Sequence, residues 1–345
     1  MSSNMETRDN CTVTIGENRE RPLLILVVPC YNEEEIIEKT AAVLSDKIRR
    51  LASERIIDAG SRILFVDDGS KDRTFSLLYQ IAQDNPLCSV VKLAGNRGHQ
   101  NAILAGMMTA KDRADIVVTI DADLQQDIEA LDRFIACYKA GSEVVYGVRN
   151  DRSSDGFMKK TTASLYYKLM QGLGSNVLPN HADYRLVSNK VLTALEDYKE
   201  VNLFLRGLIP AMGFPSDIVY FDVKEREAGS SKYTFKKMLT LAMDGITSFS
   251  TRPLHLIGLI GCIVVFLSFI MCIIAVIDWA LGRNVPGYTT LLIVTLIMSG
   301  VLLLSLGVIG EYIGKIYMEA KHRPHYIIDS VIWREDSENK KKHEE

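Results

Sequence analysis

Two long apolar segments near the C-terminus restrict the fold more than any other feature of the sequence. Residues 254–277 read LHLIGLIGCIVVFLSFIMCIIAVI, and residues 289–310 read TTLLIVTLIMSGVLLLSLGVIG. About 20 consecutive apolar residues let a helix cross a bilayer, and shorter apolar stretches are typical of buried core helices. We therefore predict two transmembrane helices, at about 254–277 and 289–311, within a membrane region of residues 253–313.

Basic residues flank this membrane region and predict its orientation. The loop between the two apolar segments carries one acidic and one basic residue, Asp278 and Arg283. An excess of lysine and arginine marks the cytosolic side of a membrane protein. We expect a multi-pass protein of the cytoplasmic (inner) membrane, with the N-terminal domain and the tail at 314–345 in the cytosol. The flanking basic residues are Lys232, Lys236, Lys237, Arg252, Lys315, Lys321 and Arg323.

Residues 234–252, directly before the first apolar segment, have the pattern of an amphipathic helix. Apolar side chains recur at helical spacing on one face, while Lys236, Lys237 and Asp244 fall elsewhere. A helix of this kind either lies on a membrane surface or packs against a protein core. Its position beside a predicted span favours the membrane surface.

The overall composition excludes several classes of protein. With a net charge of −3, the chain lacks the overall positive charge that is typical of nucleic-acid-binding proteins, so we expect no nucleic-acid partner. The six cysteines include no C-x-x-C pair, which favours reduced thiols over a disulfide framework or a zinc cluster. Residues 1–21 are polar and lack the apolar core of a signal peptide, and we expect a flexible tail there.

Short apolar runs alternate with helical patterns from residue 22 to about 148. This alternation predicts an α/β domain with a Rossmann-like, mostly parallel sheet. Ligands of such sheets bind at the carboxyl ends of the strands, where this sequence places its polar clusters. Strands are expected at 23–29, 62–68, 89–94, 115–123 and 143–149, and helices at 33–53, 73–84, 99–111 and 127–140.

The stretch VVTIDADLQQD, residues 117–127, ends a predicted buried strand with acidic residues. If the strand continues through them, Asp121 and Asp123 point to the same side, because side chains alternate along a strand. Two carboxylates suit Mg²⁺ or Mn²⁺, which would stabilise the diphosphate of an activated substrate as a leaving group. In the alternative interpretation, one aspartate caps the helix at 127–140 and the other is solvated.

Two further polar clusters follow predicted strands, VPCYNEEEII at 28–37 and VDDGSKD at 66–72. Each also has a local explanation. Asn32 and Glu35 have the spacing of a capping box, and Gly69 suits a turn with a positive φ, followed by a capping Ser70 or Asp72. Their common position at one sheet edge favours a shared site.

These motifs together resemble a known family. VPCYNEEEII, VDDGSKDRT, GNRGHQNAILAG and DADLQQD, in that order, resemble the family 2 glycosyltransferases of the GT-A fold. DYRLVS, FLRGLI, EREAGSSKYTFKKM, the two spans and GEYIGKIYMEAKHRPHYII look like the polyisoprenyl-phosphate glycosyltransferases, which include the bactoprenol glucosyltransferases and the dolichol-phosphate mannose synthases. The resemblance covers residues 22–328 and implies a GT-A catalytic domain at 22–233.

The resemblance implies roles in binding a nucleotide-sugar donor. Of the two adjacent aspartates at 67 and 68, the second is the implied base contact. Asp121, Asp123 and Gln125 are the implied ligands of Mg²⁺ or Mn²⁺. Base and ribose contacts are implied for Pro29, Tyr31, Glu33, Val66 and Asp68. Diphosphate and metal contacts are implied for Asp121, Ala122, Asp123, Gln125 and Arg149.

On the acceptor side, the resemblance implies catalytic roles for Asp183, as a candidate base, and for Asp123 and Arg206. A phosphate monoester has a second pKa near 6, so the acceptor is largely ionised at neutral pH and a base is not required. In that alternative, Asp183 orients sugar hydroxyls or holds Arg185. The residues implied to face the lipid phosphate and leaving diphosphate are Arg206, Arg226, Ser231, Lys232 and Tyr233.

The expected function is transfer of a hexose, in the first instance glucose from UDP-glucose, to undecaprenyl phosphate at the cytosolic leaflet, with inversion at the sugar. UDP-GlcNAc, UDP-galactose and GDP-mannose stay open as donors. The resemblance also implies a homo-oligomer, and a tetramer is one possible form. A polysaccharide synthase is disfavoured because no Q-x-x-R-W segment is present, and a dinucleotide enzyme because G-x-G-x-x-G is missing after the first strand. The intact acidic motif argues against a non-catalytic membrane scaffold.

Overall fold

A computed structural model describes residues 19–150, 181–200, 204–222 and 287–333, together with scattered positions between 257 and 281. The strands in these ranges are β1 (Leu24–Cys30), β2 (Arg62–Asp67), β3 (Cys88–Leu93), β4 (Ile116–Thr119), β5 (Val144–Arg149), β6 (His181–Ser188), β7 (Ser216–Phe221) and β8 (Ile328–Ile332). The helices are α1 (Ile37–Ser53), α2 (Thr74–Asp84), α3 (His99–Ala110), α4 (Ala130–Lys139), α5 (Asn189–Glu196), α6 (Leu205–Ala211) and α7 (Tyr288–Ala320).

The strands form one sheet in the order β7-β5-β6-β4-β1-β2-β3-β8. Parallel pairs join β1 to β2 and β4, β2 to β3, and β5 to β7. β6 runs antiparallel between β4 and β5, and β8 runs antiparallel beside β3. The prediction of a mostly parallel α/β sheet is confirmed. Because β6 is reversed, it begins at the edge where the parallel strands end.

Helices cover both faces of the sheet, so the central strands are buried along their length. In β1, Leu24, Leu26 and Val28 pack in the core shared with α1, α2 and α4. Ile25 and Val27 pack in the core shared with α3, α5 and α6. Burial on both faces explains why the strand sequences are continuously apolar instead of alternating.

Gly106 allows α3 to lie close to the sheet. A Cβ atom at this position would lie 2.3 Å from Cγ1 of Val27 and 2.9 Å from Cγ2 of Val66. Such distances are shorter than any non-bonded carbon contact, so only glycine fits here. The close packing fixes the N-terminal end of α3, at His99, relative to β1 and β2.

The C-terminal part of the chain contains a long apolar helix and a further strand. The predicted span at 289–311 is helical, within α7, and the part Ile297–Ala320 is long and apolar enough to cross a membrane. Described positions between 257 and 277 are helical as well, but no other helix among the described residues meets the same criterion. The first span therefore stays a prediction. β8, which the sequence did not predict, adds to the sheet after α7.

Several predictions fall on residues outside the described ranges. These are the N-terminal tail up to residue 18 and the amphipathic helix at 234–252. The same holds for the predicted acceptor contacts Arg226, Ser231, Lys232 and Tyr233.

Candidate active site at the carboxyl edge of the sheet

The reversed strand β6 brings Asp183 close to the acidic loop. In the β4–β6 pairing, Thr119 lies opposite Arg185. Asp121, two residues after Thr119, and Asp183, two residues before Arg185, therefore both lie towards the same sheet edge. The Thr119 hydroxyl donates to the Asp183 carbonyl, which ties the start of β6 to the end of β4.

The acidic residues lie in a loop, not in the strand. β4 was expected to run to residue 123, but it ends at Thr119. Leu124 has a φ of 55°, and the hydroxyl of the buried Thr40 on α1 donates to the Ala122 carbonyl at 2.7 Å. These local constraints hold the loop, so strand alternation was the wrong reason for expecting Asp121 and Asp123 to act together.

Gln126 holds the Asp121 carboxylate through two hydrogen bonds. The Gln126 amide nitrogen donates to Oδ2 of Asp121 at 2.6 Å, and the Asp121 backbone N–H donates to Oε1 of Gln126 at 3.0 Å. Gln126 is only 2% exposed. The sequence singled out its neighbour Gln125, and nothing in the local pattern separated the two glutamines.

The donor atoms of this loop fit a divalent cation that is completed by substrate. Oδ2 of Asp121 accepts from Gln126, and Oδ1 lies 3.5 Å from Nε2 of His99. Oδ1 of Asp123 accepts the Gln125 backbone N–H at 3.2 Å, which orients the second carboxylate. No cluster of three His, Cys, Asp or Glu suited to a metal occurs among the described residues. Mg²⁺ is commonly held by only one or two carboxylates plus substrate phosphates and water.

Asp121 is a predicted metal ligand, and residues that orient such a ligand typically contribute about 10–100-fold to metal affinity. Replacing Gln126 with alanine is therefore expected to weaken Mn²⁺ binding by about that factor. Mn²⁺ titration in the presence of UDP, followed by electron paramagnetic resonance, measures the effect without relying on turnover. Gln80→Ala, at an exposed position of α2, is the matched control. Unchanged Mn²⁺ affinity in Gln126→Ala would remove this role from Gln126.

Asp183 is buried and lies at the centre of a cluster of cationic groups. Its carboxylate accepts from Nη2 of Arg185, from Nε of Arg206 at 3.0 Å and from Nη2 of Arg206 at 2.8 Å. His99 Nε2 lies 3.4 Å from Oδ2 of Asp183 and 3.5 Å from Oδ1 of Asp121. The cluster therefore adjoins the acidic loop directly.

Burial and charge act in opposite directions in this cluster. Burial alone would raise the pKa of Asp183, but the hydrogen bond with His99 and the charges of Arg185 and Arg206 hold that pKa well below its usual range. Burial alone would lower the pKa of His99, but Asp183 and Asp121 raise it. The pKa of Asp121 is raised mainly by burial.

Neighbouring elements hold the cluster in place. Arg185 is fully buried and donates to the Leu205 carbonyl at 3.1 Å, while the Leu205 backbone N–H donates to Oε1 of Gln100 at 3.1 Å. These bonds link β6, α6 and α3. His99 and Gln100 belong to the GNRGHQ motif, which contributed to the family resemblance but was assigned no role.

The loops after β1 and β2 bond to one another and form the other side of the site. Oδ1 of Asn32 accepts the Lys71 N–H at 2.8 Å, and the Asn32 N–H donates to Oγ of Ser70 at 3.0 Å. Asn32 has a φ of 54°, and α1 begins only at Ile37, so the capping-box alternative was wrong. Gly69, with a φ of 66°, fits the predicted turn.

The two adjacent aspartates after β2 have different environments. Both oxygens of Asp68 accept backbone N–H groups, from Arg97 at 2.7 Å and from Gly98 at 2.9 Å, so this carboxylate fixes the loop before α3. Asp67 is fully buried, and its Oδ2 has no hydrogen-bond partner among the described residues. Burial raises the pKa of both groups.

The remaining predicted donor contacts are divided between core and surface. Pro29 and Val66 lie side by side in β1 and β2 and are buried. Any contact that they make with a base would therefore involve their backbone. Tyr31 is exposed just beyond β1, and Arg149 is exposed at the end of β5, on the same edge as Asp121. The Glu33 N–H donates to the Thr74 hydroxyl at 2.8 Å.

The sheet and the D-x-D loop at its carboxyl edge define a glycosyltransferase of the GT-A fold. Comparison with known proteins agrees, because a sequence model described as Glycosyl transferase family 2 matches residues 25–195. The chain belongs to this family. Individual relatives extend the similarity well beyond residues 25–195.

The chain is 47% identical over 317 residues to an uncharacterised glycosyltransferase, YkoT, of Bacillus subtilis, covering 92% of this chain and 94% of the relative. It is 39% identical over 305 residues to a bactoprenol glucosyl transferase of Shigella phage SfV, covering 88% and 97% of the two chains. A solved structure of glucosyl-3-phosphoglycerate synthase from Mycobacterium tuberculosis is similar over 66% of this chain and 78% of that one, at 17% identity and a TM-score of 0.42.

Proposed function

We propose that this protein is a membrane-bound hexosyltransferase that moves glucose from UDP-glucose to the phosphate of undecaprenyl phosphate at the cytosolic leaflet. The observation that carries the proposal is the direct contact between the acidic loop at Asp121 and the cationic cluster of Asp183, Arg206 and His99. Such a site can hold a metal-bound diphosphate beside a second anion. The names of the bactoprenol relatives support glucose and a polyprenyl acceptor.

The donor is proposed to bind across the loops that follow β1, β2 and β4. Asp68 stays the proposed acceptor of the base N–H, because each of its carboxylate oxygens accepts one backbone N–H and can accept a second donor. Tyr31 and Arg149 stay proposed contacts to the ribose and donor phosphate.

Asp121 and Asp123 would hold Mg²⁺ or Mn²⁺, with Gln125 as a further proposed ligand. When bound, the ion neutralises the charge that develops on the leaving diphosphate. Gln126 keeps the Asp121 carboxylate in one orientation. Arg206 is proposed to bind the acceptor phosphate, and Arg226, Ser231, Lys232 and Tyr233 are proposed to complete that side of the site.

The pairing of β8 with β3 supports a topology with two spans. β8 follows α7 in the chain, yet it lies in the same sheet as β1–β7. If α7 crosses the membrane, the chain must cross an even number of times between β7 and β8 for both to lie on one side. The segment at 254–277 is the other apolar stretch of sufficient length between them. The basic flanks favour the cytosol for the catalytic domain.

A donor panel tests the proposal. Purified protein is incubated with undecaprenyl phosphate, Mg²⁺ or Mn²⁺, and separately with UDP-glucose, UDP-GlcNAc, UDP-galactose or GDP-mannose, and the lipid product is identified by mass. We expect glucosyl undecaprenyl phosphate from UDP-glucose. A lipid product from a different donor would correct the sugar, and no lipid product from any donor would contradict the proposal.

A further inference from the structure

The hydrogen bonds of Asp183 are hard to reconcile with a role as a catalytic base. One oxygen accepts from Arg185 and Arg206, and the other accepts from Arg206 and lies near His99. The carboxylate is 5% exposed. To accept a proton from a substrate, it would first have to release Arg206, which binds both of its oxygens.

The three partners of Asp183 differ in exposure. Arg185 is fully buried, so it has a purely internal role. The side chains of Arg206 and His99 are 39% and 48% exposed, so both can be reached from the open side of the cluster. His99 also approaches Asp121, so an anion bound by Arg206 and His99 would lie beside the donor diphosphate.

We propose that Asp183 is a positioning residue and not a base: it holds Arg206 and His99 together, and these two side chains receive the phosphate of the acceptor. This inference rests on the function proposed above. It adds His99 to the proposed acceptor site. It also explains why Asp183 lies there, because Asp183 bonds to Arg206 and lies close to His99. Arginine suits this task because its planar fork binds carboxylate on one side and phosphate on another.

The transfer balances without a protein base. An oxygen of the dianionic phosphate monoester forms a bond to the anomeric carbon of the sugar. The bond from that carbon to the UDP oxygen breaks, and its electron pair leaves with UDP. The lipid product is a phosphodiester with one negative charge and UDP carries three, so the total charge of the two dianionic substrates is conserved and no proton moves.

The first test uses the intact wild-type protein and two acceptors, undecaprenyl phosphate and the more acidic undecaprenyl thiophosphate. If ionisation of the acceptor replaces a base, the acid limb of kcat/KM for the acceptor moves to lower pH with the thiophosphate. An acid limb at the same pH for both acceptors would overturn the inference. If neither acceptor yields a lipid product while UDP still binds, the proposed function itself fails, which is a distinguishable result.

The second test compares Asp183→Asn with His99→Gln. Asparagine keeps an oxygen acceptor for Arg206, so we expect the acceptor KM to rise about tenfold in both variants and kcat to fall by no more than a few-fold. Loss of a general base would instead lower kcat by about 10²–10⁴-fold. That loss in Asp183→Asn, with an unchanged acceptor KM, would overturn the inference. UDP affinity reports whether each variant is folded. If Asp183→Asn does not fold, the comparison of the two acceptors with the wild-type protein decides whether Asp183 acts as a base.

Discussion

Replacing Asp123 with alanine is expected to lower kcat/KM for lipid product formation by at least ~10³-fold. A Lewis-acidic ion contributes several kcal/mol of stabilisation to a developing anion, and each 1.4 kcal/mol corresponds to about tenfold in rate. Asp123 is one of two carboxylates proposed to hold that ion, and its side chain is partly exposed. The variant should therefore lose activity and UDP-dependent Mn²⁺ binding but keep its fold.

Asp127→Asn is the matched control for this prediction. Asp127 lies in the same loop and its Oδ1 accepts the Glu129 N–H at 3.1 Å, a bond that asparagine can also accept. We expect this control to retain transfer and Mn²⁺ binding. Circular dichroism and membrane insertion should be normal in both variants. Substantial residual transfer by Asp123→Ala, at saturating donor, would disprove its assignment as a metal ligand.

Local patterns predicted the α/β part of the fold well. β1, β2, β3 and β5 begin and end within about a residue of the predicted strands, because runs of β-branched and apolar residues are bounded by turn residues. The predicted parallel topology also indicated the sheet edge at which the acidic loop lies. β4 is the exception, since Thr119 is its last residue and the following loop is fixed by Thr40, which is distant in sequence.

The features that sequence reasoning missed depend on contacts between distant segments. The reversed β6 places Asp183 against Asp121, and Arg206 reaches it from a helix 23 residues further on. His99 and Gln126 carry no local signal that distinguishes them from surface residues. β8 is a short strand at a sheet edge, and its pairing with β3 could not be derived from its own five residues.

The largest effect on stability is expected from Arg185→Ala. Arg185 is completely buried and donates to Asp183 and to the Leu205 carbonyl. Removing one partner of a buried ion pair typically costs 3–5 kcal/mol, because the remaining charge loses its compensation. We expect a decrease of about that size in the free energy of unfolding, measured by denaturant titration with near-UV circular dichroism.

Arg49→Ala is the control, because Arg49 is an exposed arginine whose ion pair with Asp46 lies on the surface of α1. Surface pairs contribute about 0–1 kcal/mol, so this variant should unfold at nearly the wild-type denaturant concentration. The pKa of Asp183 is lowered in the folded protein, so its ionised form stabilises the fold, and this stabilisation is lost as the pH falls through the folded-state pKa. The difference in unfolding free energy between wild type and Arg185→Ala should therefore decrease at low pH. If Arg185→Ala were as stable as Arg49→Ala at neutral pH, Asp183 would have to be held by Arg206 and His99 alone, and the buried arginine would not be the anchor of the cluster.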